Sequence, residues 1–90
     1  MHALASREVQ DARAWYAARS DDIALRFHAQ LRQLFGRIRS FPRAYQLRRR
    51  HHHAPMSDFP FTVVYRVIDD EVIVIALAHQ SRRPWYWRGR

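Results

Sequence analysis

The sequence predicts an α+β fold: an antiparallel pair of helices at the N-terminal end, packed on one face of a three-stranded antiparallel sheet. Three observations lead there. Apolar residues recur at helical spacing between residues 6 and 41. Two runs rich in β-branched and aromatic side chains, 61–68 (FTVVYRVI) and 72–79 (VIVIALAH), flank the turn-forming cluster Asp69-Asp70-Glu71, as in a hairpin. The helical and extended segments are segregated along the chain rather than alternating, which excludes a parallel α/β sheet.

The elements follow in order. Ser6 is placed to cap a first helix with Val9, Ala12, Trp15 and Tyr16 on one face. Ser20 or Asp21 caps a second, and Asp21 and Asp22 sit well at the positive end of its dipole. Its stripe is Ile23, Ala24, Phe27, Leu31, Leu34, Phe35 and Ile38, and Phe41-Pro42 ends it because proline cannot extend the hydrogen-bond ladder. The short link around Arg19 makes the two helices antiparallel neighbours. Tyr45–Arg50 reads as a short strand with Tyr45 and Leu47 inward and Arg48 outward, and His51-His52-His53 as a basic, pH-sensitive loop leaving the sheet edge. In 61–68 the set Phe61, Val63, Tyr65 and Val67 is expected to face the helices, leaving Thr62, Val64 and Arg66 on the open face. The 72–79 run is apolar on both faces and is expected to be a central strand, though only one neighbour can be assigned to it.

Composition narrows the function. Ninety residues make a single domain, 1–90, and 48% apolar residues with only two glycines and four prolines exclude disorder. The absence of cysteine excludes disulfides and thiolate metal sites and fits a reducing cytoplasm. No run approaches the roughly 20 apolar residues of a membrane span, and the first residues do not read as a secretion signal, so a soluble cytoplasmic protein with no membrane partner is expected. Three consecutive histidines on an extended chain point to alternating sides and cannot converge on one ion; no metal and no cofactor are expected.

Charge points to the partner. The formal charge is +8, and all sixteen basic residues are arginine. A GC-rich genome produces such usage too, but guanidinium still makes bidentate contacts with phosphate and carboxylate. Residues 1–36 hold five arginines against four acids, whereas residues 37–90 hold eleven against four, so the excess belongs to the sheet half. A hairpin brings Arg66, His79, Arg82 and Arg83 towards one rim, with Arg48, Arg49 and Arg50 nearby. These six arginines are the candidate contacts for an anionic target or an acidic partner. No helix-turn-helix, zinc-finger or RNP-like pattern marks a general nucleic-acid-binding module.

These features together resemble the RelE/ParE superfamily of type II toxins, the plasmid stabilisation proteins. The residues that carry the likeness are Ala12-Arg13-Ala14-Trp15-Tyr16, Ile38-Arg39-Ser40-Phe41-Pro42, Phe59-Pro60-Phe61, Tyr65-Arg66-Val67, and His79-Gln80-Ser81-Arg82-Arg83-Pro84-Trp85-Tyr86-Trp87. The resemblance implies a toxin held inactive by an acidic cognate antitoxin, in a hetero-oligomer. For the ParE-like branch, which the C-terminal ending favours, it implies growth inhibition by binding DNA gyrase. For the RelE-like branch it implies ribosome-dependent mRNA cleavage, with His79 or Tyr86 in proton transfer and Arg48, Arg66 and Arg82 stabilising charge. Relatives begin with a strand; here only Met1–Ala5 precede Ser6. The usual first strand is therefore expected to be missing or very short, unless the start lies upstream or another chain supplies that edge. An inactive relic is the further alternative.

Overall fold

The computed structural model describes residues 1–90. Helices α1 (Ala3–Ala17) and α2 (Asp21–Ser40) precede strands β1 (Gln46–Arg48), β2 (His51–Pro55), β3 (Phe61–Ile68) and β4 (Glu71–His79). The strands form one antiparallel meander in the order β1-β2-β3-β4, and the helix pair packs on one face of it.

Helix α1 starts earlier than Ser6. His2 is the cap, its Nδ1 accepting from the Leu4 amide at 3.1 Å, and Ala5 is fully buried within the first turns. Ala3-Leu4-Ala5 are strong helix formers, so the helix runs back to the first residue able to cap it. Trp15 is 54% exposed rather than part of the core. The Arg19 guanidinium lies 3.4 Å from its ring centre and also donates to the Trp15 carbonyl. Helix α2 matches expectation: the Ser20 hydroxyl accepts from the Ile23 amide, and Phe27, Leu31, Leu34 and Ile38 are buried. It ends at Phe41-Pro42, where the Phe41 amide closes on the Arg37 carbonyl.

The core between helices and sheet joins these residues to Ala54, Val63, Tyr65, Val74 and Leu77. Tyr16, Phe27, Phe59 and Phe61 form an aromatic cluster with centroid separations of 5.1–5.7 Å. Tyr65 is fully buried, and its hydroxyl donates to the Pro42 carbonyl at 2.6 Å, which ties the end of α2 to the sheet.

The sheet differs from expectation in two ways. It has four strands, because the histidine triplet is the strand β2 and not a loop. Alternation explains this. His52 faces the helices, is only 7% exposed, stacks on Tyr65 at 5.0 Å and donates from Nδ1 to the Tyr45 carbonyl, while His51 and His53 face the other side. Here the imidazole rings behave as the flat aromatic residues that a pleat accepts. The second difference is β4, which is the edge strand and not a central one. Its open-face side chains are covered by the C-terminal tail instead of by a neighbouring layer. Leu47, on the opposite edge strand, is 57% exposed because no helix reaches it.

Strands β3 and β4 join through Asp69-Asp70, both left-handed (φ 50° and 63°), the conformation that a two-residue type I′ turn demands. The ladder slips once: Val64 opposes Ala76 and Tyr65 opposes Val74, so Ile75 is an extra residue on β4.

Candidate target-binding surface

The tail begins as a tight turn. The Gln80 amide donates to the Pro60 carbonyl, the Arg82 amide to the His79 carbonyl, and the Ser81 amide to His79 Nδ1 at 3.0 Å. The chain then doubles across the open face and lays Trp87, 3% exposed, on Val64, Ile75 and Ala76. His51 and His53 meet this ring at centroid separations of 4.7 and 5.5 Å, and Trp85 stands 4.9 Å from it. The open face is therefore roofed by an aromatic layer. Burial lowers the proton affinity of both imidazoles; the Arg66 and Arg50 charges lower that of His51 further, and Arg48 does so for His53.

The end of the tail is tied down at Glu8 of α1. This carboxylate accepts from the Tyr86 hydroxyl, from both terminal nitrogens of Arg90 at 2.7 and 3.3 Å, and from the Leu77 amide at 3.1 Å. Arg90 also donates to the carbonyl of Ile75, the residue that the bulge leaves unpaired. Together with the His2 amide, which donates to the Val74 carbonyl at 2.8 Å, these groups satisfy the free edge of β4 where a further strand would otherwise pair. Burial is the main reason that Tyr86 holds its proton far more tightly than an ordinary phenol. The bond to Glu8 and its negative charge add to this, partly opposed by Arg82 and Arg90.

The anticipated site residues fall into two groups on this face. Arg48, Arg82 and Arg83 surround a shallow cavity of about 200 Å³ together with His79 and Tyr86. Arg49, Arg50 and Arg66 line a separate pocket of about 370 Å³, joined by Arg88 and Arg90. The Arg82 guanidinium lies 3.9 Å from the Tyr86 ring centre. None of the six anticipated arginines has a carboxylate within ion-pair distance; the ion pairs are Arg26–Asp58, Arg43–Asp70 and Arg90–Glu8. Around the corner of β4, a groove of about 510 Å³ runs between α1 and the start of β3. Ala12, Trp15, Tyr16, Phe61 and Leu77 form its apolar walls, and Glu8, Asp11, His79 and Arg82 are its charged and polar lining residues.

Sequence reasoning missed Glu8, Trp85, Arg88 and Arg90 as parts of this surface. Trp85-Tyr86-Trp87 was a signal, since three consecutive aromatics must cover something. A lone glutamate on a helix gives none.

The fold is thus the helix pair on an antiparallel meander that the resemblance implied, without a strand before α1. Residues 1–84 match the family described as ParE toxin of type II toxin-antitoxin system, parDE, and the chain belongs to that family. No match is found among curated proteins or among solved structures. The protein is thus the toxin of a type II toxin-antitoxin pair, ParE-like within its superfamily, and the family implies an antitoxin partner. No helix is long and apolar enough to cross a membrane.

Proposed function

We propose that residues 1–90 act as one cytoplasmic toxin domain that stops growth by binding DNA gyrase, and that an acidic cognate antitoxin neutralises it in a hetero-oligomer. The observation that carries the target is the match to the ParE family over residues 1–84. The state of Tyr86 supports it as well. A RelE-like cleavage would need a group that exchanges a proton readily near neutral pH, whereas this hydroxyl is half-buried, bonded to Glu8 and strongly averse to ionisation.

The antitoxin reading rests on charge and shape. The unpaired arginines of the sheet half attract an acidic chain and speed its encounter. The groove beside α1 offers apolar walls to its hydrophobic residues, while the charge complementarity comes from the arginines outside it, since Glu8 and Asp11 line the groove together with Arg82. A segment that folds on binding gains from both.

Induction of the chain in a bacterium tests the target. The expected outcome is growth arrest with DNA damage signalling, gyrase-dependent DNA breaks and uncut transcripts, reversed by co-expression of a small acidic protein encoded beside it. His79→Ala should leave that arrest in place. Ribosome-dependent transcript cleavage that disappears in His79→Ala or Tyr86→Phe would establish the RNase mechanism instead, and unimpeded growth would establish an inactive relic.

A further inference from the structure

The pocket between the β1–β2 turn and the tail joins unpaired arginines to an indole, apart from the groove beside α1. We propose that it binds a nucleoside di- or triphosphate, with the phosphates held by Arg49, Arg50, Arg66 and Arg88 and the base laid against Trp85.

Four observations carry this. The first is uncompensated charge. No acidic side chain lines the pocket, and none of these four arginines has an ion-pair partner anywhere in the protein. Their field is felt locally, since Arg66 and Arg50 add to burial in depressing the proton affinity of the adjoining His51. One phosphodiester, with a single negative charge, would leave most of this charge unbalanced; a di- or triphosphate brings three or four. Guanidinium groups match phosphate oxygens in forked pairs, so the fit is geometric as well as electrostatic.

The second is backbone strain. Only four residues other than glycine adopt positive φ. Asp69 and Asp70 make the β3–β4 turn, where aspartate is tolerated. The other two are Arg49 (φ 58°) and Trp85 (φ 64°), and both line this pocket. Asparagine or glycine would take the same turn with less strain, so keeping a long cation and an indole there is what a binding site explains. The Arg49 guanidinium stands 5.4 Å from the Trp85 ring centre, which sets a cation and a stacking surface side by side.

The third is size. A cavity of about 370 Å³ lies at the small-molecule end of binding sites, which run from about 300 to 1,000 Å³. A nucleic-acid strand or a folding peptide needs a longer groove. The fourth is position: Arg88 lies beyond residue 84, where the family match ends, and helps to complete the pocket.

Titration calorimetry on the full chain at low and moderate salt is the test, with ADP, AMP, pyrophosphate, a ten-residue thymidine oligonucleotide and a ten-residue glutamate peptide as probes. ADP should bind at one site, about tenfold or more tighter than AMP because of the second phosphate. It should also exceed pyrophosphate by about five- to a hundredfold through base stacking. Trp85→Leu should reduce ADP to the pyrophosphate level. Arg66→Gln and Arg88→Gln should each weaken ADP about tenfold or more with an unchanged melting temperature, while Arg32→Gln, on the exposed side of α2, should have no effect. The proposal is overturned if ADP shows no saturable binding, or if Arg32→Gln weakens it as much as Arg66→Gln, which is diffuse attraction to a cationic surface. Tighter binding of the oligonucleotide than of ADP at this pocket would overturn it in favour of a nucleic-acid strand. Tighter binding of the glutamate peptide that competes with ADP and is lost in Arg66→Gln would do so in favour of an acidic protein segment.

Discussion

Replacing Glu8 with alanine should loosen the tail and lower the stability of the whole domain. The carboxylate gathers four hydrogen bonds: one from Tyr86, one from Leu77 and two from Arg90. The side chains of Arg90 and Glu8 are only 12% and 15% exposed, so water screens this pair little. Deleting one member of a buried pair typically costs about 3–5 kcal/mol because the other is stranded. The long Arg90 side chain can swing into water, which limits the loss to about the 1.5–3 kcal/mol that bonds to charged groups contribute. The Leu77 amide, at an edge that solvent can reach, adds little. An estimate of about 2–3 kcal/mol corresponds to a fall of roughly 10–20 °C in melting temperature for a domain of this size. Thermal unfolding followed by circular dichroism measures it, and Glu8→Ala/Arg90→Ala should cost much less than the two single changes added together, because both act on one network. A melting point within 2 °C of the parent, or strict additivity, would mean that the tail is not held by this carboxylate.

Three further outcomes follow from the same geometry. His51 and His53 bind protons more weakly when folded than their usual value of 6.5, so the unfolded chain takes up more protons as pH falls. Their contribution is complete above about pH 6.5 and is lost below it; melting curves between pH 7.5 and 5 should shift downward, and His51→Gln/His53→Gln should flatten that dependence. Tyr65→Phe strands the Pro42 carbonyl and should cost about 1–2 kcal/mol in urea unfolding, with an unchanged denaturant slope. Asp70→Gly should raise stability by roughly 0.5–1 kcal/mol, since glycine takes the left-handed turn without strain. The bond to Arg43 that it removes is exposed and weak, so a net loss would contradict the turn assignment.

Much of the fold was legible because its signals are periodic. The α2 stripe, the Phe41-Pro42 stop and the helix-facing set Phe61, Val63, Tyr65 and Val67 all follow from spacing, and each lies where expected. Apart from the early start of α1, which is local, the misreadings share one cause, contact distant in sequence. His51-His52-His53 looked like a loop because histidine seldom builds a strand, and the reason that it does so here is supplied by Tyr65, Trp85 and Trp87. Strand β4 looked central because it is apolar on both faces, and the residue that covers its open face, Trp87, arrives from the tail. The candidate surface was legible as charge but not as shape. The sequence places eleven arginines in the last 54 residues, yet it cannot say that Arg48 and Arg49, adjacent in the chain, line different cavities. That separation arises where the strand ends and the backbone turns left-handed at Arg49.

The edge of β4 connects stability to recognition. An exposed edge beside an apolar strand invites pairing with other chains. Here it is closed by side chains and one amide from both ends of the sequence: His2 and Glu8 from the beginning, Arg90 from the end. The closure also anchors the segment that carries Trp85, Trp87 and Arg88, so it holds both arginine pockets in shape. A partner that paired with β4 as an added strand would have to displace Glu8 and Arg90 and would dismantle those pockets. One that entered the groove beside α1 would leave the pocket of Arg49, Arg50 and Arg66 in place and could still reach Arg82. Antitoxin binding can therefore be separated from the pocket of Arg49, Arg50 and Arg66, with which the groove has no lining residue in common, but not from the cavity of Arg48 and Arg83, with which it shares His79 and Arg82.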